Sequence, residues 1–480
     1  MQTRAEANGD KMFVDGKWID RDEKMDVRDP FDGSLIDRVP KATIEDVELA
    51  LKSAVEGFRA IRGLPAHQRA EILMRTSNIV KRDFDEFART IAREGSKTIK
   101  EARREVTRCI NTLTVSAEES KRILGETIPF DSYPGGENKI GYYYRFPIGV
   151  ILAITPFNDP LNLVAHKLGP AFASGNSVIL KPTTATPLSS VKLVRAFLEA
   201  QLPPKAIQLL IGSGKEIGEP LVQDDRVRMV SFTGGFDAGK RITQLAGIKK
   251  IGMELGSNSP VIVCEDANLE YAIESCVSGA FSAAGQNCIG VQRIYVHKDV
   301  YAKFKDGFVE RTKKYKVGDK LKEDTDMGPM INETEAKRIE EWVNEAREFG
   351  AIVLSGGGRS GSIYSPTILE NVPEKARIHR EEAFGPVVNL YPTSSIDEAI
   401  AKANSLPYGL LAAIFTSDMN TAMKAAHELE CGGVMINEST DYRLDSMPFG
   451  GIKWSGLGRE GIKFAIHEMT EPKVVCFNRI

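Results

Sequence analysis

The 480-residue sequence predicts an α/β protein with two parallel-sheet units and a small strand-rich element. Three observations lead there. From about 147 to 260, short apolar runs ending in turn residues alternate with helical segments, the pattern of a parallel sheet covered on both faces. A second such alternation follows residue 260. Two strand-like segments, 123–146 with "KIGYYYRF" and the C-terminal "EPKVVCFNRI", fit neither unit.

Taken in order, the first 120 residues read as mostly helical. In "TIEDVELALKSAVEGF" the residues Val47, Leu51, Ala54 and Phe58 share one face, with Thr43 as N-cap and acids in the first turn. The mixed charges from Arg82 to Arg104 read as solvated helix faces. The runs "GVILAIT", "SVILKP", "IQLLIG", "VRMVSFTGG" and "KKIGMELG" read as strands, with "PLSSVKLVRAFLEAQL" as a helix among them. Ligands of such sheets bind beyond the carboxyl ends of the strands. Thr155-Pro156-Phe157-Asn158, Lys181-Pro182 and Thr233-Gly234-Gly235 therefore converge on one crevice. In the second unit, "SPVIVCED" precedes a helix from about Leu269 to Ser282, followed by "RIYVH" and "AKRIEEWVNEAREFGAIVLSGG". The two unplaced segments resemble edge strands, which often pair with another subunit.

The bulk composition narrows the function classes. Lys plus Arg (63) nearly cancels Asp plus Glu (66), so no global field draws the chain to nucleic acid or anionic membrane. The start "MQTRAEANGDK" is too polar for a secretory signal, and no apolar run approaches the roughly eighteen residues of a membrane span. Six scattered cysteines without a CxxC, and six histidines without HxxxH or HxH spacing, fit a cytoplasmic protein with reduced thiols and no zinc site. Two glycine-rich stretches are near-misses for phosphate binding. "GGFDAGKR" (234–241) has Arg241 where a phosphate loop needs Ser or Thr, and "GSGKEIG" (212–218) has its third glycine one residue too late for the dinucleotide fingerprint.

One thiol stands apart. Cys288 follows Gly285, Gln286 and Asn287 in "SAAGQNCIGVQR", a glycine-loosened turn, whereas a free cysteine is usually a small buried hydrophobe. Its surroundings carry a resemblance. "ITPFNDPLN", "VILKPTTATP", "VSFTGG", "MELGSNSP", "GQNCIG", "EEAFGPV", "PYGL" and "PFGGIKWSGLGREG" stand in the order of the aldehyde dehydrogenase superfamily, end to end, with Glu254 and Cys288 34 residues apart. In pattern the sequence is most similar to lactaldehyde- and glyceraldehyde-type members. The resemblance implies a Rossmann-like cofactor domain (1–122 and 147–253), an α/β catalytic domain (254–448) and oligomerisation or bridging segments (123–146 and 449–480). It also implies self-association to a dimer or tetramer.

It implies roles as well. Cys288 is the nucleophile, because a free carbonyl cannot readily lose hydride whereas a tetrahedral thiohemiacetal can. Asn158 and the Cys288 N–H form the oxyanion hole. Glu254 is the base that activates water against the thioester, and Lys167 supports Asn158 and the water network. The cofactor residues are Thr155, Pro156, Phe157, Lys181, Thr183, Thr184, Gly214, Phe232, Thr233, Gly234, Gly235, Leu255, Gly256, Glu382 and Phe384. Lys181 reaches the adenosine ribose, and Glu382 and Phe384 grip the nicotinamide ribose.

Departures from the pattern sharpen the expectation. Thr184 stands where NAD-preferring members carry Glu; losing that carboxylate removes repulsion of a 2′-phosphate, so NADP is expected, with NAD alongside. Gly235 replaces a Ser and Ser257 a Gly. Asp159 replaces an apolar residue and has Arg443 as a candidate partner. Asn162, His166 and Arg443 fall where relatives line the aldehyde tunnel, and their polarity points to a small hydrophilic aldehyde: lactaldehyde, glyceraldehyde or an anionic semialdehyde. Arg443 either holds a substrate anion by paired hydrogen bonds or pairs with Asp441, Asp445 or another acid. The competing readings are a CoA-acylating relative, a non-catalytic member and a phosphate-loop NTPase.

Overall fold

The structure is a computed structural model that describes residues 10–479; the polar start read above lies largely outside them. Two large sheets dominate. The first has eight strands in the spatial order Lys17–Ile19, Met12–Val14, Ile207–Leu209, Ser177–Lys181, Val150–Ile154, Val227–Thr233, Lys250–Glu254 and Gly456–Leu457. Its five central strands run parallel, and the outer pairings are antiparallel. "SVILK" is buried throughout, as expected where helices cover both faces of a sheet. From Val150–Ile154 the chain first builds outward through Ser177–Lys181, then returns to the other side at Val227–Thr233. The reversal leaves a crevice beyond Ile154 and Thr233.

The second sheet has seven strands, in the order Ile352–Ser355, Thr367–Glu370, Val387–Thr393, Val291–His297, Ser259–Val263, Leu411–Phe415 and Gly433–Ile436. All pairings are parallel except the one between Ile352–Ser355 and Thr367–Glu370. The third element is a three-stranded antiparallel sheet of Thr470–Asn478, Lys139–Pro147 and Glu126–Ile128. Segment 449–480 is divided between elements. Gly456–Leu457 closes the first sheet, and only Thr470–Asn478 joins the small one.

Helix Ile44–Arg62 begins at Thr43 with a complete capping box, as its sequence predicts. The helical reading holds from Ile44 to Glu119, in four helices, but the start of the chain departs from it. Four strands precede that helix, Met12–Val14, Lys17–Ile19, Lys24–Arg28 and Leu35–Pro40. They are too short to show a clear period, yet Asp15 (φ 52°) and Gly16 (φ 76°) form the left-handed pair of a tight hairpin, a Asp-Gly signal legible in "FVDGKW".

Candidate active site

Carboxyl ends of the first sheet meet segments that lead into strands of the second, and the sequence motifs collect at this seam. A cleft of about 520 Å³ is walled by Pro156, Phe157 and Asn158 after one strand, Thr233, Gly234 and Gly235 after the next, and Glu254, Leu255 and Gly256 after a third. Facing them are Gln286 and Cys288, which precede strand Val291–His297, and Glu382 and Phe384, which precede Val387–Thr393. The Phe157 and Phe384 rings meet edge to face at 5.7 Å across the seam.

The turn before Cys288 explains why a thiol is presented rather than packed away. Ala283 (φ 51°), Ala284 (φ 56°) and Gly285 (φ 69°) are consecutively left-handed. Such backbone costs about 1–3 kcal/mol per non-glycine residue and persists only where its surroundings impose it. Here they do. Glu101 accepts from the Ala283 N–H at 2.8 Å and the Ser282 hydroxyl at 3.1 Å. Gln286 donates to the Ala283 carbonyl at 2.9 Å and accepts from the Ile331 N–H at 2.9 Å. At Gly285 a Cβ would lie 2.2 Å from the Gly385 carbonyl oxygen, so only glycine fits.

Cys288 also lines a second, smaller cavity of about 200 Å³. That cavity shares Asn158 and Gln286 with the cleft, but its wall is charged: Lys97, Arg104, Arg108, Asp159, Asp441 and Arg443 all contribute. Burial pushes the Cys288 thiol up to about 12, against the opposing pull of the Arg443 guanidinium. The cation-rich setting is present, but burial outweighs it, so attack requires a base to take the thiol proton. Glu254 lines the same cleft. Burial and the neighbouring Glu460 carboxylate raise it well above the usual carboxylate range, opposed by Arg443, Lys167 and Arg459, and its Oε2 has no partner. Glu460, though buried, is held low by Lys167 and Arg443.

Several sequence readings need correction. Lys167 does not touch Asn158; it donates to Ser231 and Glu460, each at 3.2 Å, and so acts on the Glu254–Glu460 pair. Asp159 pairs with Lys97, and with Arg108 at 3.1 Å, not with Arg443. Arg443 lies over the Phe449 ring at 3.7 Å and donates to Glu460 at 2.9 Å, so its acid partner is neither Asp441 nor Asp445. Asn162 and His166 do not line the small cavity. Both are buried behind it, donating to Asp445 at 3.3 Å and bonded to it at 3.0 Å respectively. Asp445, expected only as a candidate partner of Arg443, instead gathers these two and Arg108 (3.1 Å) and is held well below the carboxylate range despite burial.

The remaining positions group around the cleft. Lys181 is buried at the end of its strand, and burial pulls its ammonium down to about 8; the turn Gly214–Gly218 packs against its stem. Thr183 and Thr184 follow it, half-buried. Phe232 is buried beneath Gly234. Glu382 accepts from the Ser257 N–H at 2.9 Å and is pushed up to about 7 by burial. A Cβ on Gly256 would stand 2.0 Å from its Oε2, so the absent side chain leaves Glu382 its place. Unpartnered donors stand in and beside the cleft. The hydroxyls of Thr155 and Thr233 are buried without partners, and helix Phe236–Leu245 starts at Gly235 with no side-chain cap, leaving its first N–H groups free. Sequence reasoning missed Arg338, which stacks on Trp342 at 4.7 Å and donates to the Ala383 carbonyl at 2.8 Å on the far wall. It missed Arg104 and Arg108 as well. Among the described residues, no cluster of His, Cys, Asp and Glu is arranged to hold a metal, and no helix is long and apolar enough to cross a membrane.

A thiol shared by a large cleft and a small polar cavity fits an aldehyde-oxidising enzyme. The chain belongs to the aldehyde dehydrogenase family, whose profile matches residues 18–475. It is 52% identical to aspartate-semialdehyde dehydrogenase 1 of Pseudomonas canavaninivorans, over 95% of this chain and 96% of that protein. It is 46% identical to 3-sulfolactaldehyde dehydrogenase of Priestia aryabhattai, over 97% and 98%. The NADP-dependent glyceraldehyde-3-phosphate dehydrogenase of Bacillus halodurans, solved with NADP, superposes with a TM-score of 0.96 at 36% identity, covering 98% of this chain and all of that one.

Proposed function

We propose that the protein oxidises a small anionic aldehyde to its carboxylic acid with NADP as the preferred cofactor. The observation that carries this reading is the position of Cys288, which lines both the large cleft and the small charged cavity. The cleft suits a dinucleotide. Its diphosphate would meet the free N–H groups of helix Phe236–Leu245, and Lys181, Thr183, Thr184 and the Gly214 turn would hold the adenosine end, with Glu382 and Phe384 at the nicotinamide end. The bound dinucleotide supplies the acceptor for the two electrons and the hydrogen that leave the aldehyde carbon.

The chain's own residues do the rest. Glu254 receives the thiol proton, and Cys288 Sγ bonds to the aldehyde carbon to give a tetrahedral thiohemiacetal. Asn158 and the Cys288 N–H donate to its oxyanion, where one such donor is worth about 2.7–4 kcal/mol. Once the carbon is oxidised the acyl group is a thioester on Cys288. Glu254, having released the first proton to solvent, then takes a proton from water, whose oxygen adds to the thioester carbon; the carbon–sulfur bond breaks, and the departing thiolate regains its proton from Glu254. Lys167 and Glu460 hold the charge balance behind it.

Substrate charge is read from the small cavity. Arg104 makes no ion pair among the described residues, and the buried Nε of Arg443 has no partner, so cationic donors remain for an anion. The named relatives act on aldehydes that carry a carboxylate, sulfonate or phosphate, which supports the same reading. The exposed Ile140, Tyr144 and Phe477, on one face of the three-stranded sheet, support self-association through that face. The test is a panel of lactaldehyde, glyceraldehyde, glyceraldehyde 3-phosphate and succinic semialdehyde with each cofactor. The reading expects kcat/KM to be highest for an anionic aldehyde with NADP; a neutral aldehyde leading the panel, or NAD strongly preferred, would overturn the corresponding half.

A further inference from the structure

We infer that Asp441 is a specificity-determining subsite for a cationic group on the substrate, so that the aldehyde is a zwitterion carrying an ammonium as well as an anion. The inference rests on the anionic-aldehyde reading above and adds one charge to it.

The argument is an accounting of the carboxylates around the small cavity. Glu101 is occupied by the Ala283 and Thr98 N–H groups, at 2.8 Å each. Glu105 accepts from Lys97 at 2.8 Å and from the Leu161 and Asn162 N–H groups at 2.8 and 3.0 Å. Asp159 is bound by Lys97 and Arg108. Asp441 differs. Its carboxylate accepts one side-chain hydrogen bond, from the Ser439 hydroxyl at 2.6 Å, and among the described residues it forms no ion pair. Burial raises it, opposed first by the Ser439 hydroxyl and less by Arg104.

The carboxylate is nevertheless held in place. A Cβ on Gly279 would come within 2.1 Å of Ser439 Oγ and 3.0 Å of Asp441 Oδ1, so the helix behind leaves room for this pair. A carboxylate fixed in a cavity wall without a cation is an incomplete ion pair, and one that costs stability unless a ligand completes it. The ligand that completes it is an alkylammonium. Lys97 and Arg108, which line the same cavity, are already committed to other acids. Arg104 forms no ion pair among the described residues, and Arg443, though bonded to Glu460, keeps an unpartnered Nε, so the cavity presents both signs of charge beside the nucleophile, which is the complement of an α-amino-acid semialdehyde.

Two aldehydes isolate the added charge. Aspartate β-semialdehyde and succinic semialdehyde share chain length and carboxylate and differ by one ammonium. Wild type is expected to prefer the former in kcat/KM by about tenfold or more, the scale of a charge-assisted hydrogen bond. Asp441→Asn is expected to remove that preference by lowering kcat/KM for aspartate semialdehyde alone, leaving succinic semialdehyde within about twofold. Equal losses for both substrates, or an unchanged ratio, would overturn the inference while leaving the anionic-aldehyde reading standing. Turnover of neither by wild type, with neutral aldehydes oxidised, would overturn both. Should the variant fail to fold, wild-type inhibition decides: L-aspartate is expected to compete with the aldehyde more tightly than succinate, and the reverse order rejects the subsite.

Discussion

On the cofactor side of Cys288 the wall is mostly backbone turns and rings: Pro156 to Asn158, Thr233 to Gly235, Leu255, Gly256 and Phe384. On the side proposed for the aldehyde it is charged side chains from the helix Ile99–Glu119, the turn after Asn158 and the loop around Asp441 to Arg443. The two materials recognise differently. Strand ends and a helix N-terminus present donors at fixed positions, and suit a ligand whose phosphates are the same in every reaction. Charged side chains choose among small aldehydes by sign and placement. Cys288 belongs to both walls, so its loss has the largest effect. Cys288→Ala is expected to cut acid formation on the order of 10⁴-fold or more, with nucleotide binding by fluorescence retained. Undiminished oxidation would remove the thiol from the mechanism.

Glu254 is next, and its effect has a sign in pH. Because burial and Glu460 raise it, Glu254 is protonated at acid pH and accepts protons only as pH rises through its elevated value. Wild-type kcat should therefore fall on the acid side. Glu254→Gln is expected to lose roughly 10²–10⁴-fold and to flatten that acid limb. A variant that keeps the wild-type limb would transfer the titration to another group. The third effect belongs to the cofactor wall alone. Thr184→Glu restores a carboxylate where a 2′-phosphate is expected, and like charges so placed cost several kcal/mol. It should lower kcat/KM with NADP by roughly 10–100-fold relative to NAD, measured at one saturating aldehyde. An unchanged ratio would mean that Thr184 does not face the ribose.

The same contrast explains what was legible in the sequence. Glycines and strand ends are local, so "VSFTGG", "MELGSNSP" and "GQNCIG" announce the cleft and the nucleophile turn. The small charged cavity depends on pairings between segments far apart in the chain, such as Arg108 with Asp445 and Lys167 with Glu460. Nothing local says which acid an arginine meets. Asn162 and His166 occupy promising positions in sequence, yet their helix turns them toward Asp445 rather than the cavity. Lys167 was expected beside Asn158, but it is buried against Glu460, which lies 293 residues away and so could not be anticipated locally. The strands before Thr43 were legible through Asp15-Gly16, a turn signal outweighed by the helical pattern that follows.

The smallest effect tests whether the two walls can be separated at all. Gly256 has no left-handed backbone requirement, so alanine is sterically acceptable to its own chain; the conflict is with Glu382, whose Oε2 lies 2.0 Å from the new methyl position. The tip of that side chain is free to swing, so the protein should fold. Displacing it strips the Ser257 N–H of its 2.9 Å acceptor and moves the carboxylate assigned to the nicotinamide ribose. Loss of hydrogen bonding of about 1–1.5 kcal/mol corresponds to a roughly five- to tenfold rise in KM for NADP. The aldehyde KM should stay constant, because neither Gly256 nor Glu382 lines the charged cavity. A rise in aldehyde KM with cofactor KM unchanged would show that the seam transmits strain between the walls, and that Glu382 serves the substrate side rather than the dinucleotide.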